Sequence, residues 1–401
     1  MASVSGMDFP FPDELLAHRL GLAEASPPAF AAKPSQDEMF ARLRLARSRR
    51  VGPATFRRLL TEHGTATAAL EALPAIAAAA GDTSYRPATE AEARAEIRAA
   101  RKAGARLLTP GTADYPILLA EIADAPPVLW AQGDATLLAR PTVAVVGTRN
   151  ASSLALRMAR ALGRDLVAAG VTVVSGLARG VDAAAHEAAL PATVAVHAGG
   201  LDCVYPSSNV ELGARIATEG CALSERRFGH APQARDFPRR NRIVSGLSRV
   251  VVLVEAAVRS GSMITARDAL DQGREVAAVP GHPYDGRAAG CLQLLRDGAT
   301  LVRDAGDVLD LLAGLPYGAT PAPRETRTRT AAEADAPATE AEGLRGRILS
   351  LLSPVPVSED QLLRDLAAKG DVAARHFAAH LSELELSGLV ARRAGGQLVR
   401  L

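Results

Sequence analysis

The sequence predicts an α/β protein built on a doubly wound parallel sheet, with a small helical domain before it and a domain of three helices and a hairpin after it. Three observations carry this. Strand-like and helix-like patterns alternate from Thr142 to about Leu315, as crossover-connected parallel strands require. Val143 to Val146 is a continuous apolar run and Val171 to Val174 is β-branched throughout, the mark of strands buried on both faces. Both runs end in loops containing glycine and arginine.

Between those two strands the pattern is helical. Asn150, Ser152 and Ser153 offer N-cap oxygens, Leu154, Met158, Leu162 and Leu166 recur at i, i+4, and Gly170 supplies the stop. The right-handed crossover rule then lays the second strand parallel to the first. Gly147-Thr148-Arg149 and Ser175-Gly176-Leu177-Ala178-Arg179-Gly180 therefore lie side by side at the carboxyl edge of the sheet, where free amides and helix N-termini favour anions.

At 401 residues the chain holds two or three domains. Its formal charge is only +2, and lysine occurs only at Lys33, Lys102 and Lys369. The arginine bias reflects either a GC-rich genome or a use for guanidinium chemistry, and local clustering must decide. Cys203, Cys221 and Cys291 show no C-x-x-C spacing, so a reducing compartment is expected and no metal site is implied. No targeting segment and no run of about 18 apolar residues occurs, so a soluble, cytoplasmic protein is expected.

Taken in order, residues 1–35 are rich in Pro, Ala and Ser and are expected to be disordered. Residues 36–105 read as a helical domain; within it, Leu45 to Phe56 resembles a helix-hairpin-helix with Arg50 in place of one glycine. Tyr115 to Trp130 is expected to run extended past Pro126-Pro127. The sheet domain spans 106–315, with further strands at Thr193 to His197, Cys221 to Ser224, Val250 to Glu255 and Glu275 to Val279. Helices are expected at 181–190, 209–218, 240–247, 262–272, 292–296 and 305–312. Residues 316–341 form a Pro-, Thr- and Ala-rich linker, and 342–401 read as a winged helix.

The dinucleotide fingerprint is absent: Arg149 and Ser152 stand where its later glycines belong, and the strand ending at Ser175 carries no ribose-binding acid. NAD is excluded, and no cofactor or catalytic residue is expected. Arg149, a planar guanidinium just past a strand end, suits a phosphodiester; its bland alternative is an ion pair with a neighbouring loop. Asp182 reads as a helix cap and His186 as a packed core histidine. From Ser224 to Arg249, Arg226, Arg227, His230, Arg235, Arg239, Arg240, Arg242 and Arg249 are opposed by only Glu225 and Asp236, while Phe228 and Phe237 interleave with them. That combination suits a single-strand site, unless the segment is only a solvated loop. At the next strand end, Ser260 and Ser262 cap a helix, or Gly261 exposes amides to a phosphate.

These residues together resemble the DNA-processing protein A (DprA, also called Smf) family of bacteria. The match rests on Val146-Gly147-Thr148-Arg149, Ser175 to Asp182 with Ala185-His186, Gly199-Gly200-Leu201-Asp202 with Tyr205-Pro206 and Asn209, and Ser224-Glu225. It continues through Phe237-Pro238-Arg239-Arg240-Asn241-Arg242-Ile243, Val254-Glu255-Ala256, Ser260-Gly261-Ser262 with Thr265-Ala266, Gly273 to Val276 and Val279-Pro280-Gly281. The resemblance covers about residues 105 to 313, and Glu383 to Val390 suits the family's winged helix. It implies an extended Rossmann-like domain, an N-terminal helical (SAM-like) domain, and a non-enzymatic homodimer. Such a protein binds single-stranded DNA and helps load RecA recombinase in natural transformation and recombination. By motif, Arg149 and Arg240-Asn241-Arg242 would contact DNA. One departure is Leu292, where the family usually has asparagine.

Incoming phosphates are thus expected against Gly147, Thr148 and Arg149, against Ser175, Gly176, Arg179 and Gly180, and against Ser260, Gly261 and Ser262. Bases would reach toward the Arg226 to Arg242 segment, where Phe237, Arg239, Arg240, Asn241 and Arg242 are the expected contacts. The rival reading is a hydrolase of nucleotide or sugar phosphates, for which Glu255 and Asp202 are the available carboxylates. A third makes the winged helix a duplex-DNA regulator, but Arg375, His376 and His380 share their helix with Glu383 and Glu385, and a protein contact suits it equally.

Overall fold

The computed structural model describes residues 34–315 and, beyond them, 345–346, 348–349, 352, 357–359, 362–363, 366, 374–393 and 397–400. The linker and nearly all of the N-terminal segment read as disordered lie outside the described residues. So do parts of the first two winged-helix helices and the Arg375 and His376 side chains.

The chain divides into two compact units, Met1–Pro316 and Tyr317–Leu401. The first opens with helices α1 (Gln36–Arg47), α2 (Pro53–His63), α3 (Ala66–Ala79) and α4 (Glu90–Lys102). The α1–α2 hairpin turns at Arg50, whose φ of 64° is the left-handed conformation that glycine adopts most readily. Arg50 therefore keeps the turn that the missing glycine would have made. These helices share a core with the sheet: Leu43, Ala93 and Ala100 pack with Val128, Trp130 and Ala222, and Trp130 Nε1 donates to Glu96 at 2.7 Å.

The sheet follows, from β1 (Arg106–Leu108) and β2 (Leu129–Gly133) to β3 (Thr142–Val146), β4 (Thr172–Ser175), β5 (Thr193–His197), β6 (Cys221–Ser224), β7 (Val250–Leu253), β8 (Glu275–Ala278) and β9 (Thr300–Leu301). Its order is β1-β2-β6-β5-β4-β3-β7-β8-β9. From β6 to β9 neighbours run parallel, whereas β1 and β2 add an antiparallel edge. The chain builds outward from β3 through β4 to β6, then returns to the other side at β7. The order reverses there, and that crevice is where open α/β sheets bind ligands.

Successive β3 residues enter different layers. Val143 and Val145 pack beneath α5 (Ser153–Ala168), α6 (Val181–Ala189) and α7 (Ala305–Ala313). Ala144 and Val146 face the opposite core, which receives α8 (Asp236–Gly246), α9 (Gly261–Asp271) and α10 (Ala289–Arg296). This explains why the central strands are buried on both faces and largely apolar.

Two expectations need correction. The Tyr115 to Trp130 segment is not extended throughout, because Ile117–Glu121 forms a helical turn whose Leu119 enters the core. The buried stripe of α5 is Ala155, Ala159, Leu162 and Leu166, while Leu154 is 49% exposed. Gly163 lets α5 approach α6 closely: a Cβ there would stand 2.7 Å from Ala185 O, so small residues face inward.

In the second unit, strands Val357–Ser358, Val390–Arg393 and Gln397–Arg400 form a three-stranded sheet beside the helix Ala374–Leu386. Phe377, Leu381 and Leu384 pack with Val390 and Leu398. Among the described residues no helix is long and apolar enough to cross a membrane.

Candidate nucleic-acid interface

The loops after β3, β4 and β7 meet the first turns of α8 at the reversal point and enclose a cleft of about 370 Å³. Gly147, Thr148, Arg149, Gly176, Phe237, Arg240, Asn241, Ser260, Gly261 and Ser262 all line it. Arg179, exposed, lies in a narrow continuation beside Arg149, Phe237 and Tyr205. Arg239 and Arg242 instead face a second cleft, toward the α1–α2 hairpin. Ser175 is wholly buried, its hydroxyl donating to Val145 O at 2.7 Å.

Gly147 and Gly180 serve close packing. A Cβ on Gly147 would stand 2.7 Å from the Val181 side chain, and one on Gly180 2.4 Å from Thr148 O. Several loop amides are engaged within the protein. Thr148 N donates to Glu255 O at 2.7 Å, and Ser152 N donates to the Glu255 carboxylate at 2.9 Å. Gly176 N and Ala178 N donate to Asp182 at 3.2 and 3.3 Å. Asp182 therefore ties down the preceding loop, whereas the helix N-cap itself is Gly180. At α9, Ser260, its N-cap, makes no side-chain cap, and the Ser260 and Ser262 hydroxyls pair at 2.9 Å. Among the described residues, the Gly261 and Ser262 amides have no protein acceptor.

Arg149 is exposed, and its guanidinium lies 5.1 Å from the centroid of the Phe237 ring, an arrangement that holds a cation without neutralising it. No ion pair engages it among the described residues, so the bland alternative does not apply. Arg240 is different. It is 6% exposed, and its Nη1 donates to Gly176 O and to Val196 O. Burial pushes its pKa down to about 10, against the opposing charge of Asp182. Burial likewise pushes the Asp182 carboxyl up, while Arg240 and the two amides pull it down. Nε of Arg240 donates to Asn241 at 3.2 Å, and Asn241 Nδ2 donates to Gly261 O at 3.3 Å. Arg240 and Asn241 thus brace the loops after β4 and β7 and the end of β5.

The basic segment is less open than its composition predicts. Asp236 accepts from Arg226 at 2.5 Å and faces His230 Nε2 at 2.9 Å. Burial works against that carboxylate, but these partners hold its pKa below the usual range. Arg242 pairs with Glu225 at 2.8 Å and with Asp124 at 3.3 Å. Phe228 packs edge-on against Trp130 at 5.9 Å, which makes it structural.

Neither carboxylate of the hydrolase reading is poised. Glu255 holds the Ser152 amide, and Asp202 accepts from Gly229 N through both oxygens at 2.9 Å. His186 is a core histidine with Nδ1 2.7 Å from Thr193 Oγ1. Among the described residues no group of His, Cys, Asp and Glu could hold a metal ion.

Tyr205 and Asn209 were not singled out as site residues in the sequence, although both belong to a recognised motif. Tyr205 is 52% exposed and packs on Phe237 at 5.3 Å. Asn209 Nδ2 donates to Leu177 O and Ala178 O at 3.0 and 3.1 Å, clipping the Tyr205 segment to the loop after β4.

Comparison with known proteins agrees with this architecture. Residues 106–313 match the family model described as DNA recombination-mediator protein A. Residues 36–99 match the DprA-like N-terminal HHH domain and 332–396 the DprA winged helix domain. The Smf protein of Synechocystis is 36% identical over 323 residues, 72% of this chain and 79% of that protein. The X-ray structure of DNA processing protein A from Streptococcus pneumoniae is 39% identical, covering 57% of this chain and 79% of that one, with a TM-score of 0.53. A Helicobacter pylori DNA processing protein A, described for its single-stranded DNA binding mode, is 32% identical over 52% of this chain and 95% of that one, with a TM-score of 0.49. The chain belongs to the DNA recombination-mediator protein A (DprA) family.

Proposed function

We propose that this chain binds single-stranded DNA in the cleft between the ends of β3 and β7, without catalysing a reaction on it. The observation that carries this is Arg149: an exposed guanidinium with no acidic partner among the described residues, lying over an aromatic ring at the mouth of a cleft of about 370 Å³. A cleft of that size suits a nucleotide, since small-ligand pockets begin at about 300 Å³, and a rigid duplex does not enter it. A phosphate against Arg149 and the open Gly261 and Ser262 amides gains charge-assisted bonds in a partly dry setting. Stacking on the neighbouring rings favours strands whose bases are unpaired. Arg179 extends the path, and Arg240 and Asn241 shape it from beneath.

Within this reading the family role follows. The protein protects incoming strands and helps load RecA recombinase in natural transformation and recombination, acting in the cytoplasm as a homodimer. Residues 36–105, 106–315 and 342–401 are its helical, DNA-binding and winged-helix domains. The engagement of Glu255 and Asp202 in backbone bonds supports a binding role over hydrolysis. For the winged helix, Arg392 is paired with Glu359 at 2.6 Å and with Glu385 at 3.0 Å, which favours a protein partner over duplex DNA. Titration with single-stranded and duplex oligonucleotides of one sequence tests the proposal: tighter single-strand binding supports it, and equal affinity or turnover of the strand counts against it.

A further inference from the structure

We infer that Tyr205 is a nucleobase-stacking residue and supplies the open platform of the interface, while Phe237 serves mainly as its support. This rests on the single-strand reading above. Three side chains form a contiguous row: the Arg149 guanidinium lies 5.1 Å from the Phe237 ring centroid, and the Phe237 ring lies 5.3 Å from the Tyr205 ring, tilted at an interplanar angle of 59°. Phe237 is thus flanked by a cation and by a second ring, and it is only partly exposed. Tyr205, at the end of the row, is 52% exposed.

The tyrosine is also held in place. Asn209, itself 7% exposed, fastens this segment to Leu177 O and Ala178 O. A ring presented on a clipped segment loses little freedom when a base settles on it. Its surroundings suit a nucleotide: Arg149 and Arg179 border the same narrow recess as Tyr205 and Phe237, so a base stacked on Tyr205 has guanidinium groups within reach of its phosphates. Stacking recognises the π-face common to all bases, so the platform takes any nucleobase.

The test compares wild-type full-length protein with Tyr205→Ala and Tyr205→Phe on two probes of equal length, oligothymidine and an abasic phosphodiester strand, across a salt series. Tyr205→Ala should weaken oligothymidine binding roughly 5- to 150-fold, the loss expected for one base–aromatic stack. The salt slope and the abasic-strand affinity should be unchanged, and Tyr205→Phe should restore binding. Equal losses on both probes would show that Tyr205 only shapes the loop, and no loss on either would place it outside the path; both overturn the inference. Failure of the wild-type protein to bind either probe would instead sink the single-strand reading itself.

Discussion

The Arg240 guanidinium occupies the space where Gly176 would carry a side chain: a Cβ built on Gly176 stands 2.4 Å from Arg240 Cζ. One residue's charge is buried because the other has no side chain, and together they join the loop after β4 to the end of β5. Gly176→Ala should therefore destabilise the protein by about 1–3 kcal/mol through overpacking. Arg240→Ala should cost about 3–5 kcal/mol, because it leaves the Asp182 carboxylate buried without its cation. Denaturant unfolding of both variants checks this, and a near-neutral Arg240→Ala would mean that the guanidinium does not brace the loops.

Acid should unfold the protein partly through two histidines. Burial pushes the pKa of His186 down to about 3 and that of His197 down to about 4, below the unfolded value of about 6.5. For a base lowered in the folded state, stability is complete above the unfolded pKa and is lost as pH falls toward the folded one. Stability should therefore decline from about pH 6.5 to about pH 3, with proton uptake on unfolding. His197→Gln should flatten that decline in a series of denaturant melts. An unchanged slope would mean that His197 is already protonated in the fold.

Glu255→Gln separates binding from hydrolysis. Its carboxylate accepts the Ser152 amide at the first turn of α5, a charge placed at a helix N-terminus. The substitution should cost about 0.5–1 kcal/mol. Neither protein should turn over a panel of nucleoside monophosphates; wild-type turnover abolished by Glu255→Gln would favour the hydrolase.

The fold was legible because the parallel strands are buried on both faces and leave unbroken Val-rich runs between glycine-bounded helices. The edges were not. Strands Arg106–Leu108 and Thr300–Leu301 are too short to show a period. In the candidate site, Arg149 stood out by its place after β3. Arg240 lay in a dense run of arginines, and composition cannot tell a guanidinium that faces solvent from one that holds Gly176 O and Val196 O. The same limit hid the pairing of Arg242 with Glu225 and Asp124, acids that lie on separate elements. Tyr205 shows in the sequence only as part of a motif, because its contact with Phe237 joins residues distant along the chain.

The most direct test of the central claim is the affinity of wild-type and Arg149→Ala protein for one single-stranded oligonucleotide across a salt series. Removing a single phosphate contact should weaken binding to every sequence alike and reduce the slope of log K against log salt by about 0.7. An Arg149→Ala protein with wild-type affinity and slope would contradict the assignment of this cleft to DNA.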